Sequence, residues 1–257
     1  MQRAYAQEGE QMKSRVMNIL VLIGAVAVQL CLIRPQVALA DEEERMWSFD
    51  KDAVGSVPEG WEVAETAGRG TPAAWKVVTD ASSPSAPNAI AITAVENRGG
   101  TYNLLIAKDT SYRDLEIEVM VKAGTGKEDQ GGGPIWRAAD ADNYYIARWN
   151  PLEDNFRVYF VKDGRRRQIA SAEVKADPGT WHEIEIEHEG HRIEASMDGK
   201  MLIQVSDSTF TEAGMVGLWS KADAATSFDD LEVEEEDGDR DDGEPDEDGE
   251  HDEDDED

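Results

Sequence analysis

Four runs of alternating apolar and polar residues near the carboxyl end constrain the fold of this chain more than any other feature. Residues 181–187 read Trp-His-Glu-Ile-Glu-Ile-Glu, so Ile184 and Ile186 alternate with glutamates and define one buried and one wet, acidic face. An Asp-Gly pair at 198–199 lies between two further runs, which is a strong signal for a β-hairpin. With the runs at 214–219 and 228–233, the segment predicts successive antiparallel strands.

The rest of the region 45–233 contains many short β-rich runs that are separated by Gly, Pro, Asn, Asp and Ser. Regular spacing of such runs, with no long helical period, favours a sandwich or jelly roll over a barrel or an α/β fold. No shift in composition divides this region. We therefore predict one all-β domain over residues 41–233, a jelly-roll sandwich of two antiparallel sheets.

The amino-terminal segment has the pattern of a signal peptide. Met12 begins a positively charged region, residues 16–32 are mainly apolar, and Ala38-Leu-Ala40 is a small-x-small cleavage site. The sequence therefore predicts a signal peptide over 1–40, with Met12 as the better start, and a secreted or periplasmic protein without a stable membrane anchor after cleavage. The alternative is an uncleaved anchor, for which the apolar stretch is short.

Cys31 is the only cysteine of the chain, and it lies within the predicted signal peptide. After cleavage the mature protein would contain no thiol. This prediction excludes cysteine nucleophiles, thiolate metal sites and disulfides.

The carboxyl-terminal segment, residues 234–257, consists almost entirely of Asp, Glu and Gly, and the chain has a formal net charge of −31. Such a composition predicts a disordered, self-repelling tail. It could keep the protein in solution, bind divalent cations weakly, or fold back onto the arginines at 165–167. Nucleic acid is a disfavoured partner, because this charge repels phosphate.

The central segment carries an unusual set of polar and aromatic residues. The charged loop 126–130 leads into three glycines and a strand with Trp136 and Arg137, and the next strand is Tyr144-Tyr-Ile-Ala-Arg-Trp149. Alternation places Tyr144, Ile146 and Arg148 on one face and Tyr145, Ala147 and Trp149 on the other.

Arg137 and Arg148 require partners, because a buried guanidinium group must be paired. The candidates are Glu128, Asp129 and Glu153. One interpretation is a structural network of ion pairs. The other is a ligand site for sugar hydroxyls or a carboxylate, built from Lys127, Gln130, Trp136, Arg137, Tyr145, Arg148, Trp149 and Asn150.

Several motifs carry a family resemblance. They are Gly126-Lys-Glu-Asp-Gln130, Asp140-Ala-Asp-Asn-Tyr-Tyr145, Leu152-Glu-Asp-Asn155 and Gly217-Leu-Trp-Ser-Lys-Ala-Asp223. The chain from 47 to 233 resembles secreted bacterial laminin-G-like proteins of the concanavalin A-like lectin/glucanase superfamily, and it is similar to the 3-keto-disaccharide hydrolase domains. The resemblance implies a β-sandwich that handles carbohydrate. It also implies a calcium ion that ties the chain ends together, for which Asp50, Asp229 and Asp230 are the candidate ligands.

The sequence lacks the common hydrolase patterns. The acidic runs at 116–118 and 183–187 depart from the carboxylate pattern of retaining glucanases, and there is no Gly-x-Ser-x-Gly elbow. We therefore expect a carbohydrate-binding or surface-interaction domain without catalysis. The alternatives are a hydrolase or lyase of 3-keto-glycosides, with Glu128 or Asp129 as base and Arg137 or Arg148 holding the substrate, and a calcium-dependent structural protein.

Overall fold

Fifteen β-strands and no helix make up the part of the chain that the structure describes, residues 44–68 and 71–236 of a computed structural model. The strands are β1 (Arg45–Trp47), β2 (Trp61–Thr66), β3 (Ala74–Thr79), β4 (Asn88–Ala94), β5 (Tyr102–Tyr112), β6 (Leu115–Ala123), β7 (Gly133–Asp140), β8 (Asn143–Asn150), β9 (Asn155–Lys162), β10 (Arg165–Glu173), β11 (His182–Glu189), β12 (Arg192–Met197), β13 (Lys200–Ser206), β14 (Gly214–Lys221) and β15 (Thr226–Glu235). No helix among these residues is long and apolar enough to cross a membrane.

The strands form two antiparallel sheets, as the sequence predicts. An eight-stranded sheet has the order β13-β12-β11-β6-β15-β4-β3, with β1 paired to β15. A seven-stranded sheet has the order β10-β9-β8-β7-β14-β5-β2. Because neighbouring strands are often distant in sequence, the connections cross between the sheets, which is the architecture of a jelly roll. The predicted all-β jelly-roll class is confirmed.

Alternation explains the centre of the eight-stranded sheet. Along β6 every second side chain is buried, and β11 repeats the pattern with Ile184 and Ile186 completely buried. Their register opposite Val119 and Ile117 places four aliphatic side chains side by side in the core between the sheets. Burial of each contributes on the order of 1.5–3 kcal/mol to the hydrophobic free energy of folding.

The predicted hairpin at Asp198-Gly199 is confirmed, and Asp163-Gly164 forms a second one. Asp198 and Gly199 join β12 to β13, and Asp163 and Gly164 join β9 to β10. All four residues have φ between +51° and +70°, the left-handed conformation that a two-residue turn between twisted strands requires.

A second apolar cluster covers the outward face of the seven-stranded sheet. Its buried members include Leu104, Ile135, Tyr144, Ile146 and Trp219. Tyr145, Ala147 and Trp149 of β8 face the core between the sheets, so both predicted faces of that strand are buried.

The second cluster is enclosed because distant strands of this sheet meet over it. Thr66 at the end of β2 donates a hydrogen bond from Oγ1 to the carbonyl of Ala141, at 2.5 Å, and lies 2.6 Å from the Tyr144 hydroxyl. Arg166 of β10 lies over the ring of Tyr102 on β5, although four strands separate β10 from β5 in the sheet. The seven-stranded sheet is therefore strongly curled, and the second cluster fills its concave outward face, which we call the hollow.

The predicted signal peptide and nearly all of the predicted acidic tail lie outside the described residues. The last strand, predicted over 228–233, is β15 and runs from Thr226 to Glu235. All described residues belong to one compact unit, Glu42–Asp257.

Candidate ligand-binding site

Five charged side chains meet at one end of the hollow of the seven-stranded sheet. Arg148 of β8 is directly opposite Arg157 of β9, and Lys221 lies at the end of β14. Asp129 comes from the loop before β7, and Glu153 comes from the turn between β8 and β9. We call these residues, Asp129, Arg148, Glu153, Arg157 and Lys221, the Arg148 cluster.

Arg148 is the centre of this cluster, and its side chain is only 1% exposed. Its Nη2 atom lies 3.2 Å from Glu153 Oε2 and 3.7 Å from Asp129 Oδ1. Neither contact has the geometry of a hydrogen bond, and Nε and Nη2 have no hydrogen-bond partner among the described residues. A buried guanidinium is therefore neutralised in charge while part of its hydrogen-bonding capacity is unused.

Asp129 is the most heavily engaged acceptor of the cluster. Its Oδ2 accepts a hydrogen bond from Lys221 Nζ at 2.6 Å, and its Oδ1 accepts one from Asn150 Nδ2 at 2.9 Å and one from the Gln130 amide at 3.1 Å. The carboxylate is buried, with 1% of its side chain exposed. Asp129 thus connects β8, which carries Arg148 and Asn150, with Lys221 of β14 and with the loop before β7.

A second aspartate fixes the loop that carries Asp129. The carboxylate of Asp223 accepts hydrogen bonds from the backbone amides of Lys127, Glu128 and Asp129, at 2.7–3.1 Å. Burial opposes the charge of Asp223, but these three donors outweigh it and lower the pKa of its carboxyl group. The loop is consequently held by an ionised side chain rather than by packing.

Glu153 is the accessible acid of the cluster, with 42% of its side chain exposed. Arg157 Nη1 donates a hydrogen bond to its Oε2 at 2.8 Å, and Asn155 Nδ2 donates another at 3.0 Å. Burial tends to raise the pKa of Glu153, but the Asn155 hydrogen bond and the positive charges of Arg148, Arg157 and Lys221 reverse this and lower it. Glu153 is therefore an ionised acceptor, which suits ion pairing or proton abstraction better than proton donation.

Aromatic rings continue the site along the hollow. The guanidinium of Arg166 lies 4.3 Å from the ring centroid of Tyr159, 5.1 Å from that of Tyr102 and 5.7 Å from that of Trp219. Arg157 connects this group to the Arg148 cluster through a 3.4 Å hydrogen bond to the Tyr159 hydroxyl. Arg166 Nη1 is buried and has no hydrogen-bond partner among the described residues.

Of the residues predicted from sequence, the structure brings Arg148, Asn150 and Gln130 together with Asp129. The Asn150 amide donates to Asp129, while its Oδ1 accepts from the backbone amides of Leu152 at 2.9 Å and Glu153 at 3.3 Å. Gln130 Nε2 donates to the carbonyl of Gly126 at 3.2 Å.

Lys127 and Glu128 lie at the outer rim of the same loop. Glu128 accepts a hydrogen bond from the Gly99 amide at 2.8 Å, and this contact is exposed to solvent.

The three predicted aromatic residues lie in the core between the sheets. Trp136 and Tyr145 stack at 5.5 Å, and Trp136 Nε1 donates a hydrogen bond to His188 Nδ1 at 2.8 Å. Trp149 is completely buried against the edge of His182. None of these rings offers an open face to a sugar in this structure.

Arg137 lies apart from Arg148, although β7 and β8 are neighbours as the sequence predicts. A register shift follows Trp136, and Arg137 itself has φ of +44°, so the alternation of β7 is broken at this residue. Its guanidinium is held by Asp114 and by the carbonyls of Arg113, Gly190 and Phe210, at 2.5–3.1 Å. The sequence analysis missed Asp114 as its partner.

The predicted calcium ligands have separate partners. Asp50 accepts from the Asn88 amide at 3.0 Å, whereas Asp229 accepts from Ser83 and Ser85. Buried oxygens of Asp229 and Asp230, Oδ1 in each case, have no hydrogen-bond partner among the described residues. Burial raises the pKa of Asp229. The calcium assignment stays a prediction.

Carboxylates line the outward face of the eight-stranded sheet. We call Glu116, Glu118, Glu183, Glu185, Glu187, Glu232 and Glu234 the acidic face. In this array Glu118 is opposite both Glu185 and Glu232, and Glu116 is opposite both Glu187 and Glu234. Burial and then repulsion from neighbouring glutamates raise the pKa of Glu116 to about 7. Within the described residues, Glu44, Glu232 and Glu234 are close enough to share an ion.

The sequence analysis did not assign Tyr102, Arg157, Tyr159, Arg166, Trp219 or Lys221 to a ligand site. The sequence does not distinguish Arg166 from Arg165 and Arg167, and only the structure shows that Arg166 is half-buried while its two neighbours are exposed. The convergence itself depends on the curl of the sheet, which the sequence pattern does not encode.

Known proteins with this fold include carbohydrate-binding ones. Carbohydrate-binding module CBM66 from Bacillus subtilis superposes with a TM-score of 0.54 at 20% identity, covering 68% of this chain and 95% of the module. A protein of unknown function with a galectin-like fold, also from Bacillus subtilis, superposes with a TM-score of 0.50 at 10% identity, covering 68% of this chain and 89% of that one. At these identities the likeness concerns the fold.

A curated relative matches part of the chain. Levanase of Bacillus subtilis (strain 168) is 28% identical over 122 residues, which are 47% of this chain. The matched segment is only 17% of the length of levanase.

The profile of one family covers most of the domain. The 3-keto-alpha-glucoside-1,2-lyase-like domain matches residues 48–234, from the residue after β1 to the penultimate residue of β15. This range includes both sheets and the whole Arg148 cluster, so the chain belongs to the family of 3-keto-alpha-glucoside-1,2-lyase-like domains.

Proposed function

We propose that this protein is a secreted or periplasmic carbohydrate-binding domain without catalysis, and that it binds its sugar at the Arg148 cluster. The observation that carries the proposal is Arg148, a guanidinium that is 1% exposed and whose Nε and Nη2 have no hydrogen-bond partner among the described residues. Unused buried donors are costly unless a ligand completes them.

The chemistry of the surrounding groups suits a sugar. Hydroxyl groups both donate and accept, and the cluster offers arginine and lysine donors beside the Glu153 acceptor. The Tyr102, Tyr159 and Trp219 rings lie beside these groups and add apolar surface, and each residue is only 0–8% exposed. Fold likeness to a carbohydrate-binding module agrees with this proposal.

The test is a calorimetric titration of the full chain with a panel of neutral and acidic oligosaccharides, together with Arg148→Lys and Arg167→Gln. The lysine keeps the charge but loses the planar fork of donors, so affinity should fall at least tenfold. Arg167 is exposed on β10 and serves as the control, with unchanged affinity expected. No binding across the panel, or equal binding by Arg148→Lys, would overturn the proposal.

The second candidate is a lyase for 3-keto-glycosides, which the family match favours. In such a sugar the C3 ketone acidifies the hydrogen on C2. A carboxylate takes that proton, the electron pair forms the C1–C2 double bond, and the bond from C1 to the leaving oxygen breaks, with that oxygen taking a proton from water.

Among the predicted bases, Asp129 is fully engaged by Lys221, Asn150 and Gln130, and Glu128 lies at the rim. Glu153 is ionised, half-exposed and beside Arg148, and it is the better-placed base. Incubation with a 3-keto-α-glucoside, followed by mass spectrometry, distinguishes the lyase from the binding function. An unsaturated product that Glu153→Gln does not form would replace the binding function with the lyase.

A further inference from the structure

The charges around the hollow do not balance. Contacts link the Arg148 cluster in series, from Lys221 to Asp129 at 2.6 Å, from Asp129 to Arg148 at 3.7 Å, from Arg148 to Glu153 at 3.2 Å and from Glu153 to Arg157 at 2.8 Å.

Arg166 joins this series through Tyr159, whose hydroxyl accepts from Arg157 and whose ring lies 4.3 Å from the Arg166 guanidinium. With Asp223, whose carboxylate accepts a hydrogen bond from the Asp129 amide, four basic groups then face three carboxylates, which leaves a formal surplus of one positive charge.

This surplus is local and runs against the composition of the chain. The protein carries a formal net charge of −31, and the outward face of its other sheet is lined by glutamates. Positive charge that gathers around a buried group such as Arg148 is unfavourable unless an anion compensates it. The interactions with three aromatic rings offset part of this cost for Arg166, but they do not neutralise its charge.

Arg137 provides an internal comparison. It is as deeply buried as Arg148, yet Nε, Nη1 and Nη2 all donate hydrogen bonds, to three carbonyls and to Asp114. The same fold therefore completes one buried arginine. It leaves Nε and Nη2 of Arg148, and Nη1 of Arg166, without hydrogen bonds from the described residues.

We infer that the ligand of this site is a sugar that carries a carboxylate, a uronic acid or a glycan that contains one. This inference rests on the proposed carbohydrate-binding function and specifies its ligand class. A carboxylate is planar and accepts two parallel hydrogen bonds from a guanidinium, which matches the unused donors, and its charge offsets the surplus. The sugar ring would extend toward Tyr159 and Tyr102, which belong to the apolar cluster of the same face.

The experiment compares two sugar acids, glucuronate and trigalacturonate, each with its neutral methyl ester, so that the shape of the ligand stays nearly constant while its charge changes. The full chain is titrated with these four ligands and with the neutral sugars of the panel above. Binding of an acid at least tenfold tighter than its ester supports the inference. That preference should shrink as sodium chloride rises from 50 to 500 mM.

Two variants locate the carboxylate. Arg166→Gln should reduce the preference for the acid over its ester at least fivefold, while Arg167→Gln, one position away and exposed, should keep it. Circular-dichroism melts establish that both variants fold. Should Arg166→Gln fail to fold, Arg157→Gln replaces it, because that arginine is 29% exposed and lies at the edge of the cluster.

The outcomes separate the two proposals. Neutral sugars that bind while neither acid does, or acid and ester that bind equally, overturn the carboxylate inference and leave the carbohydrate-binding function standing. If no sugar of the panel binds, both proposals are overturned. An acid preference that survives Arg148→Lys as well as Arg166→Gln and Arg157→Gln also overturns the inference, since the carboxylate would then bind elsewhere.

Discussion

The two sheets of this sandwich turn opposite kinds of surface outward. The eight-stranded sheet presents the acidic face, half-exposed carboxylates in register across β15, β6 and β11. The seven-stranded sheet curls over its own outward side and encloses aromatic rings and an excess of arginine. A repeating sequence pattern predicts the acidic face, whereas the outward face of the seven-stranded sheet depends on the curvature of that sheet. The difference shows that alternation is sufficient to predict the acidic face, whereas the candidate site also depends on contacts between strands that are distant in the sheet.

Replacing Asp129 with alanine should give the largest effect. The change removes the acceptor that Lys221, Asn150 and Arg148 share, and it leaves their buried donors unpaired. We expect a loss of about 3–5 kcal/mol in the free energy of unfolding, measured by urea denaturation. The matched control is Glu128→Ala, one residue away and exposed, which should change stability by about 0.5 kcal/mol or less. Similar losses in both variants would show that Asp129 does not hold the hollow together.

Neutralising a glutamate of the acidic face should raise the free energy of unfolding, in contrast to the loss expected for Asp129→Ala. Glu116 has a folded-state pKa of about 7, above its ordinary value of 4.5, so it favours the folded protein fully below pH 4.5 and loses that contribution as the pH rises through 7. The wild-type protein should thus melt higher at pH 5 than at pH 8. Glu116→Gln should gain about 1 kcal/mol at pH 8, because water screens the exposed part of the carboxylate, or about 2–4 °C in Tm.

The control for this prediction is Glu173→Gln on the exposed edge strand β10, for which we expect no gain. A gain of Glu116→Gln that is equal at pH 5 and pH 8 would contradict the pKa argument. It would point to packing of the amide instead.

The effect of calcium on stability tests whether the eight-stranded sheet also carries a metal site. We propose Asp50, Asp229 and Asp230 as ligands, and Oδ1 of Asp229 and of Asp230 has no other partner among the described residues. With a dissociation constant of about 1 mM, 2 mM calcium would add about 0.6 kcal/mol to the stability of the folded state. Differential scanning calorimetry against EDTA measures this. Asp229→Asn should abolish the shift, and a shift that persists in this variant would place the ion on the acidic face.

Salt should give the smallest effect and should act on the two faces in opposite directions. Raising sodium chloride from 50 to 500 mM screens repulsion among the glutamates and should raise the Tm by about 1 °C. The same change should weaken binding of an acidic sugar to the Arg148 cluster. If both quantities moved together, the contrast between the faces would not be electrostatic.

The sequence predicts most of the fold because period-2 alternation and Asp-Gly turns are local signals. Ile184, Ile186 and the hairpin at Asp198 follow from neighbours a few residues away. The site is harder to predict, since Arg166 meets Tyr102 only through the curl of a seven-stranded sheet. No local pattern encodes that approach.

Arg137 shows how one backbone irregularity misleads a prediction from alternation. Its positive φ and the register shift beside it remove Arg137 from the face that alternation assigns. The partners of Arg148 were accessible to sequence reasoning because Asp129 and Glu153 lie in turns next to its strand. The partners of Arg137 were not accessible to sequence reasoning, because the Asp114 carboxylate and the carbonyl groups come from three separate segments.

The pairing of β1 with β15 has a consequence for protein engineering. Arg45 is directly opposite Val233, so the two ends of the described domain leave from the same place on the eight-stranded sheet, opposite the sheet that carries the hollow. A domain of this kind can be inserted as a cassette into a loop of a host protein without straining either partner. For the same reason a short linker could join the ends, and new termini could be opened at the Asp198-Gly199 turn, giving a circular permutant that keeps its ligand site.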